Sequence, residues 1–244
     1  MCADKATTAF DYASRFVSGG KSARDFGSHE IRGERVRTVD AALGKIGEFA
    51  FAQVMSQFGI ELLSDDFIRY GSNEGDFGQD ISEVYIDGER GVLVPKIDVK
   101  ATKAGSGWLL IERHRLQGSI FVMVRASVPR SKEDMVVGDV MCEVAGFAFY
   151  DDLMDSNGEP YFRFRRGGKL LKPDLAESIL RESGGVRSKM LRLFEGADGD
   201  KFVNVPLKCH DQCGLPVGVL RKDIGSLANI IKDMTITGRG KIYV

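Results

Sequence analysis

No uninterrupted apolar stretch in this chain approaches the roughly 20 residues needed to cross a bilayer. The opening MCADKATTAFDYASRF carries charges where a secretory signal would need an apolar run. The chain is therefore expected to be neither membrane-embedded nor exported. Cysteine is scarce as well. Cys2, Cys142, Cys209 and Cys213 are scattered along 244 residues, which suits reduced thiols in the cytoplasm better than a disulfide framework. There is no internal repeat, no low-complexity segment and no Gly-x-x-x-x-Gly-Lys-Ser/Thr, so a P-loop ATPase or helicase engine is not encoded. Excess charge of one sign is also absent. With a formal net charge of −1 no global positive field announces a nucleic-acid partner, although a locally basic face is enough for one.

Two partial motifs fall short. Cys209, His210 and Cys213 in KCHDQCG lack the second CxxC or HxxxH pairing that structural zinc requires, so buried or surface thiols are the simpler reading. His114 in IERHRL has no serine or cysteine nucleophile in a motif context, so a hydrolytic triad is not expected.

What remains is an ordinary globular composition, 43% hydrophobic and 28% charged, with ample length for a core. Residues 5–18 read as a short amphipathic helix stopped by the glycines of SGGKS. TVDAALGKIGEFAFAQVMSQFG reads as a second helix, with Thr38 as N-cap, a stripe of Leu43, Ile46, Ala50, Ala52 and Val54, and Gly59 closing it. From Ile60 the texture becomes β-like. GWLLIERHRL and SIFVMVRASV read as successive strands, and VVGDVMCEVAGFAFYDDL as a strand turning into a short helix. YFRFRR reads as a strand with one basic face, DLAESILRES as a helix before a Gly-Gly break, FVNVPL as a strand and GSLANIIKDM as a closing helix. This order predicts α+β or mixed α/β architecture around one central sheet.

The segment that carries chemistry is QDISEVYIDGERGVLVPKIDVKAT. A hairpin folded symmetrically about Glu89 places Asp80 opposite Asp98, and period-two alternation puts Asp80, Asp98 and Lys100 on one face. The other face collects Ile81, Tyr85, Leu93, Ile97 and Val99. Carboxylates directly opposed at about 5 Å repel, and a cation between them relieves it. Paired oxygen ligands suit Mg²⁺ or Mn²⁺ rather than zinc. Lys100 beside such an ion is placed to position or activate a water, the chemistry of phosphodiester hydrolysis. A solvated strand face is the competing reading, and Pro95 is a place where a bulge would shift the register.

QDI, IDVK and the preceding GKIGEFAFA together resemble the PD-(D/E)xK nuclease superfamily, the restriction-endonuclease-like fold, over roughly residues 38–125. The resemblance implies a mixed central sheet flanked by helices. It further implies Asp80 and Asp98 as metal ligands with the Val99 carbonyl, Lys100 as the residue that orients or activates the water, and Glu48 as an accessory ligand, direct or through water. Asp76 in GDFGQD competes with Asp80 for the first position. Gly44 and Gly47 each cost about 1 kcal/mol against alanine in a helix interior, which points to close packing there.

Basic residues cluster at Arg32, Arg35, Arg37 and Lys45, and again at Arg163, Arg165, Arg166, Lys169 and Lys172. Lys103 follows the acidic-x-Lys triplet. A basic face of this kind suits a DNA backbone, with a solvated face as the alternative. The expected organisation is an N-terminal helix and polar segment over 1–37, a nuclease core over 38–150, and a C-terminal elaboration over 151–244 that contacts DNA. The expected activity is Mg²⁺-dependent cleavage of double-stranded DNA by a homodimeric type II restriction endonuclease, in the cytoplasm of a prokaryotic or phage-infected cell. A repair, junction or phage-defence nuclease of the same fold, and a DNA-binding module that has lost catalysis, are the alternatives.

Overall fold

The computed structural model describes residues 3–18, 33–64, 81–113, 116, 120–128, 140–197, 200–206 and 211–237. Helices α1 (Ala3–Ser18) and α2 (Glu34–Ser56) pack on each other and lead into β1 (Ile60–Ser64), β2 (Ile81–Ile86) and β3 (Glu89–Lys103). Then come β4 (Trp108–Glu112), β5 (Ile120–Ala126), β6 (Cys142–Phe149) and the short α3 (Tyr150–Leu153). The rest is β7 (Phe162–Phe164), β8 (Lys169–Leu171), α4 (Pro173–Ser183), α5 (Arg187–Gly196), β9 (Phe202–Pro206), β10 (Gln212–Pro216), α6 (Ile224–Asp233) and β11 (Thr235–Thr237). The class is mixed α+β. Among the described residues no helix is long and apolar enough to cross a membrane.

Among the described residues the strands form one six-stranded main sheet and two smaller ones. The main sheet has the order β1-β2-β3-β5-β6, with β11 added to β3. Its pairings are antiparallel except β3 with β5. GWLLIERHRL does form a strand, but β4 leaves the main sheet and joins β10 and β7 in a second one. A two-stranded sheet pairs β8 with β9. The indole N–H of Trp108 donates to the Leu171 carbonyl at 2.8 Å, and its ring meets Phe162 and Phe164 edge-on, tying the two small sheets together.

The hairpin closes differently from expectation. Asp87 (φ 52°) and Gly88 (φ 81°) make a two-residue turn, so Ile86 pairs with Glu89 and Glu83 with Val92. Consecutive positive φ values are the primed-turn geometry that Asp-Gly favours. A bulge then intervenes, and by Ile81 the partner is Ile97, the pairing a symmetric fold about Glu89 gives. The bulge flips the alternation in between, so Val84 fills the core with Ile81 while Tyr85 is only half-buried.

Helix α2 begins a turn earlier than expected. Gly33 occupies the N-cap, and the Thr38 hydroxyl lies inside the helix, bonding back to the Glu34 carbonyl. Its buried stripe is Ala42, Leu43, Ile46, Gly47, Ala50, Phe51 and Met55; Ala52 and Val54 are half-buried. A Cβ added at Gly47 would lie 2.6 Å from the Ala101 Cβ on β3, whereas nothing lies within 4 Å of one at Gly44. Only Gly47 is required by close packing. Ala50 and Phe51 share a core with Ile97, Val99, Val122 and Val124, so α2 covers that face of the sheet. Phe121 and Met123 open onto a second core containing Trp108, Leu109 and Ile111.

The two glycines give a paired prediction. Gly44→Ala should stabilise the fold by up to about 1 kcal/mol through helix propensity. Gly47→Ala should destabilise it, because overpacking of about 1–3 kcal/mol outweighs that gain. Urea midpoints moving in opposite directions confirm the contact; equal stabilisation of both variants contradicts it.

Candidate active site

In the parallel ladder Asp98 stands beside Phe121 and Lys100 beside Met123, so both polar side chains lie on the face away from α2. The second core roofs that face and buries the Asp98 side chain to 3% exposure, while Lys100 keeps 25%. Alternation along the strand brings the pair together, with Lys100 Nζ 2.7 Å from Asp98 Oδ2. The contact is ionic but its angles are not those of a hydrogen bond, and among the described residues the buried Asp98 Oδ2 has no other partner.

The contrast with Asp155, the other buried aspartate among the described residues, is instructive. Asp155 accepts the backbone N–H groups of Asn157 (2.8 Å) and Glu159 (3.0 Å), and Arg187 approaches at 3.4 Å. Those backbone donors, Glu159 first, hold its carboxyl below the usual carboxylate range. A structural carboxylate satisfies itself in this way. Asp98 has only the Lys100 ammonium against its buried Oδ2 and accepts no hydrogen bond there from the described residues, a poorer environment than that of Asp155 and one that a further cation would improve.

The remaining sequence-derived positions distribute as follows. Asp80 and Asp76 lie outside the described residues, as do Arg32, His114, Cys209 and His210. Val99 is buried in the core under α2. Glu48 belongs to α2, on the opposite face from the Asp98 side chain; it accepts from Lys45 Nζ at 2.6 Å. That ammonium also sits 5.3 Å from the centre of the Tyr12 ring, so Lys45 serves the α1–α2 contact. Arg35 is exposed and Arg37 half-buried at the start of α2, and Lys103 is exposed at the end of β3. Cys213 fills a core position on β10, where burial pushes its thiol up to about 11. Arg163, Arg165, Arg166 and Lys169 are all exposed. Sequence reasoning missed Asp211, which bonds the Arg163 guanidinium and the Arg166 backbone N–H; no local motif announces it.

Among the described residues no three His, Cys, Asp or Glu side chains come together closely enough to hold a metal ion. The described residues contribute one carboxylate, Asp98, whose oxygens are of the donor type a hard divalent cation takes; its buried Oδ2 is met by the Lys100 ammonium, which would turn aside for such an ion. Comparison of the chain with protein-family models, with curated proteins and with solved structures finds no match.

The two aspartates should respond oppositely to neutralisation. Asp155→Asn should destabilise the protein at pH 7. Because the Asp155 pKa is depressed in the fold, its contribution is present above the unfolded value near 3.9 and fades as pH falls through the folded value, so this deficit should close on acidification. Asp98→Asn should leave stability unchanged or raise it, since removing a buried charge that lacks hydrogen bonds offsets the lost ion pair and the part-exposed Lys100 can turn to solvent. Urea titrations at pH 7 and pH 3 read both; a large loss with Asp98→Asn would mean the carboxylate is structural.

Proposed function

We propose that the protein is a metal-dependent endonuclease acting on double-stranded DNA, of the restriction-endonuclease-like fold, and that β3 carries its chemistry. The observation that supports this most is the buried Asp98 carboxylate, which takes no hydrogen bond at Oδ2 and is met there only by the Lys100 ammonium, on a strand of a mixed sheet. By resemblance Asp80 and the Val99 carbonyl join Asp98 around Mg²⁺, with Mn²⁺ as a substitute. A cation held there would neutralise charge on the scissile phosphate and acidify a bound water.

The chain's own groups do the rest. Asp98 sits at the base of the site, where burial strengthens its pull on any cation that approaches. Lys100 reaches from that carboxylate toward solvent, so its ammonium can hold the attacking water and face the negative charge that grows on the phosphoryl oxygens. In the reaction the water oxygen bonds to phosphorus, one P–O ester bond breaks, and the departing sugar oxygen takes up a proton. Glu48 enters as an accessory ligand, direct or through water, from the resemblance alone. Cutting both strands of a duplex calls for two such sites, which a homodimer supplies. Of the nucleases with this fold, the type II restriction reading is preferred, and it demands sequence-specific fragments.

Plasmid and phage DNA incubated with the protein and Mg²⁺ should yield discrete fragments, abolished by EDTA. Lys100→Ala and Asp98→Ala should each slow cutting by roughly 10²–10⁴-fold, with circular dichroism showing that the variants remain folded. Unspecific degradation would replace the restriction role with another nuclease role. Cutting undiminished in Lys100→Ala would place the chemistry elsewhere, and intact DNA in every lane would favour a binding module.

A further inference from the structure

We propose that the turn between β7 and β8 is a platform that holds the phosphate backbone of duplex DNA, and that Asp211 sets how many of its arginines are free to do so. The inference rests on the endonuclease reading for the identity of the polyanion. Strand β7 buries Phe162 and Phe164 and turns Arg163 outward. The chain then reverses over Arg165–Gly168, closed by the Gly168 N–H donating to the Arg165 carbonyl at 2.9 Å. Asp211 braces this turn from the segment that enters β10. Its carboxylate accepts the Arg166 N–H at 3.1 Å and Arg163 Nη2 at 3.2 Å, and its carbonyl accepts the Arg113 N–H at 3.0 Å. The Arg166 N–H, then Arg163, hold the Asp211 carboxyl below its usual range, so it is charged at neutral pH.

The charge balance of the turn is uneven. Arg163 is tethered by Asp211, whose carboxylate also feels Arg165 at longer range; Arg165, Arg166 and Lys169 are exposed and form no ion pair among the described residues. Elsewhere Arg90, Arg125 and Arg221 each lie against a carboxylate, while Arg113, Arg181 and Arg192, exposed and likewise without an ion pair among the described residues, are not gathered on one turn as these are. A rigid turn that presents unneutralised guanidinium groups matches phosphate oxygens, which arginine meets with paired donors. The interleaved aromatics point inward, so the turn offers no apolar side chain to a lipid surface, and nucleic acid is the fitting polyanion. Contacts of this kind position a duplex without reading its sequence. Asp211 is a positioning residue: it fixes the turn and withholds one cation.

The test is fluorescence anisotropy of the full chain with two labelled duplexes of unrelated sequence, in EDTA, over a range of salt. Each phosphate contact contributes about 0.9 to the slope of log affinity against log salt. The Arg165→Ala/Arg166→Ala double variant should therefore lower the slope by about two, equally for both duplexes. Asp211→Asn keeps an acceptor for Arg166 but releases Arg163, and should raise the slope by about one, a change that misfolding would not produce. An unchanged slope in the double variant, or attachment to phosphatidylserine vesicles with no duplex binding, overturns the proposal. Binding in EDTA is independent of cutting. Loss of cleavage in Lys100→Ala with normal binding therefore leaves the platform intact, while metal-dependent cutting with an unchanged salt slope sinks the platform alone.

Discussion

The approach of Gly47 to Ala101 fixes where α2 lies on β3, and β3 is the strand to which the rest of the main sheet is keyed. Along its length β3 changes neighbours, pairing with β2 and β11 near its start and with β5 over Ile97–Lys103. The apolar side chains of its second half close one core under α2, and the residues between them are committed to the other face. A side chain larger than glycine at position 47 would push the helix off the strand and loosen that commitment. The position of Asp98 and Lys100 is thus a consequence of packing on the side of the sheet opposite to them.

Burial makes the Asp98–Lys100 pair chemically useful and energetically awkward. A buried carboxylate oxygen with no donor costs free energy that a hydrogen-bonded one does not, and a single neighbouring ammonium offsets only part of it. The same fold shows how such a cost is avoided, in the backbone donors around Asp155. Leaving Asp98 incomplete accords with a site whose last partner arrives from outside the chain. The Arg163–Asp211 contact has the opposite character: a surface pair that contributes little to stability but governs which charges face outward.

Much of the local structure was legible in the sequence. The alternation in YFRFRR predicts buried Phe162 and Phe164 with Arg163 outward, and Asp-x-Lys predicts that Asp98 and Lys100 share a face; both follow from the two-residue strand period. The hairpin pairing of Ile81 with Ile97 was legible only by compensation. The loop centred on Glu89 shortens to the Asp87-Gly88 turn, and a bulge opposite the stretch holding Pro95, the position where the sequence allows one, restores the offset. Gly44 and Gly47 look alike in sequence because the difference lies in Ala101, more than fifty positions away. The departure of β4 into a second sheet, and the strands β10 and β11, rest on pairings such as Cys213 with Ile111 that leave no local pattern. Asp211 escaped notice for the same reason, since its partners Arg163 and Arg166 are distant in the chain.

Whether β3 holds a divalent cation is measured, without any demand for turnover, by Mn²⁺ titration followed by electron paramagnetic resonance. In the presence of duplex DNA the wild-type chain should immobilise Mn²⁺, and Asp98→Asn, folded and still able to bind DNA, should lose that population. Mn²⁺ bound equally by wild type and Asp98→Asn, or by neither, would contradict the assignment of Asp98 as a metal ligand and with it the proposed chemistry of this strand.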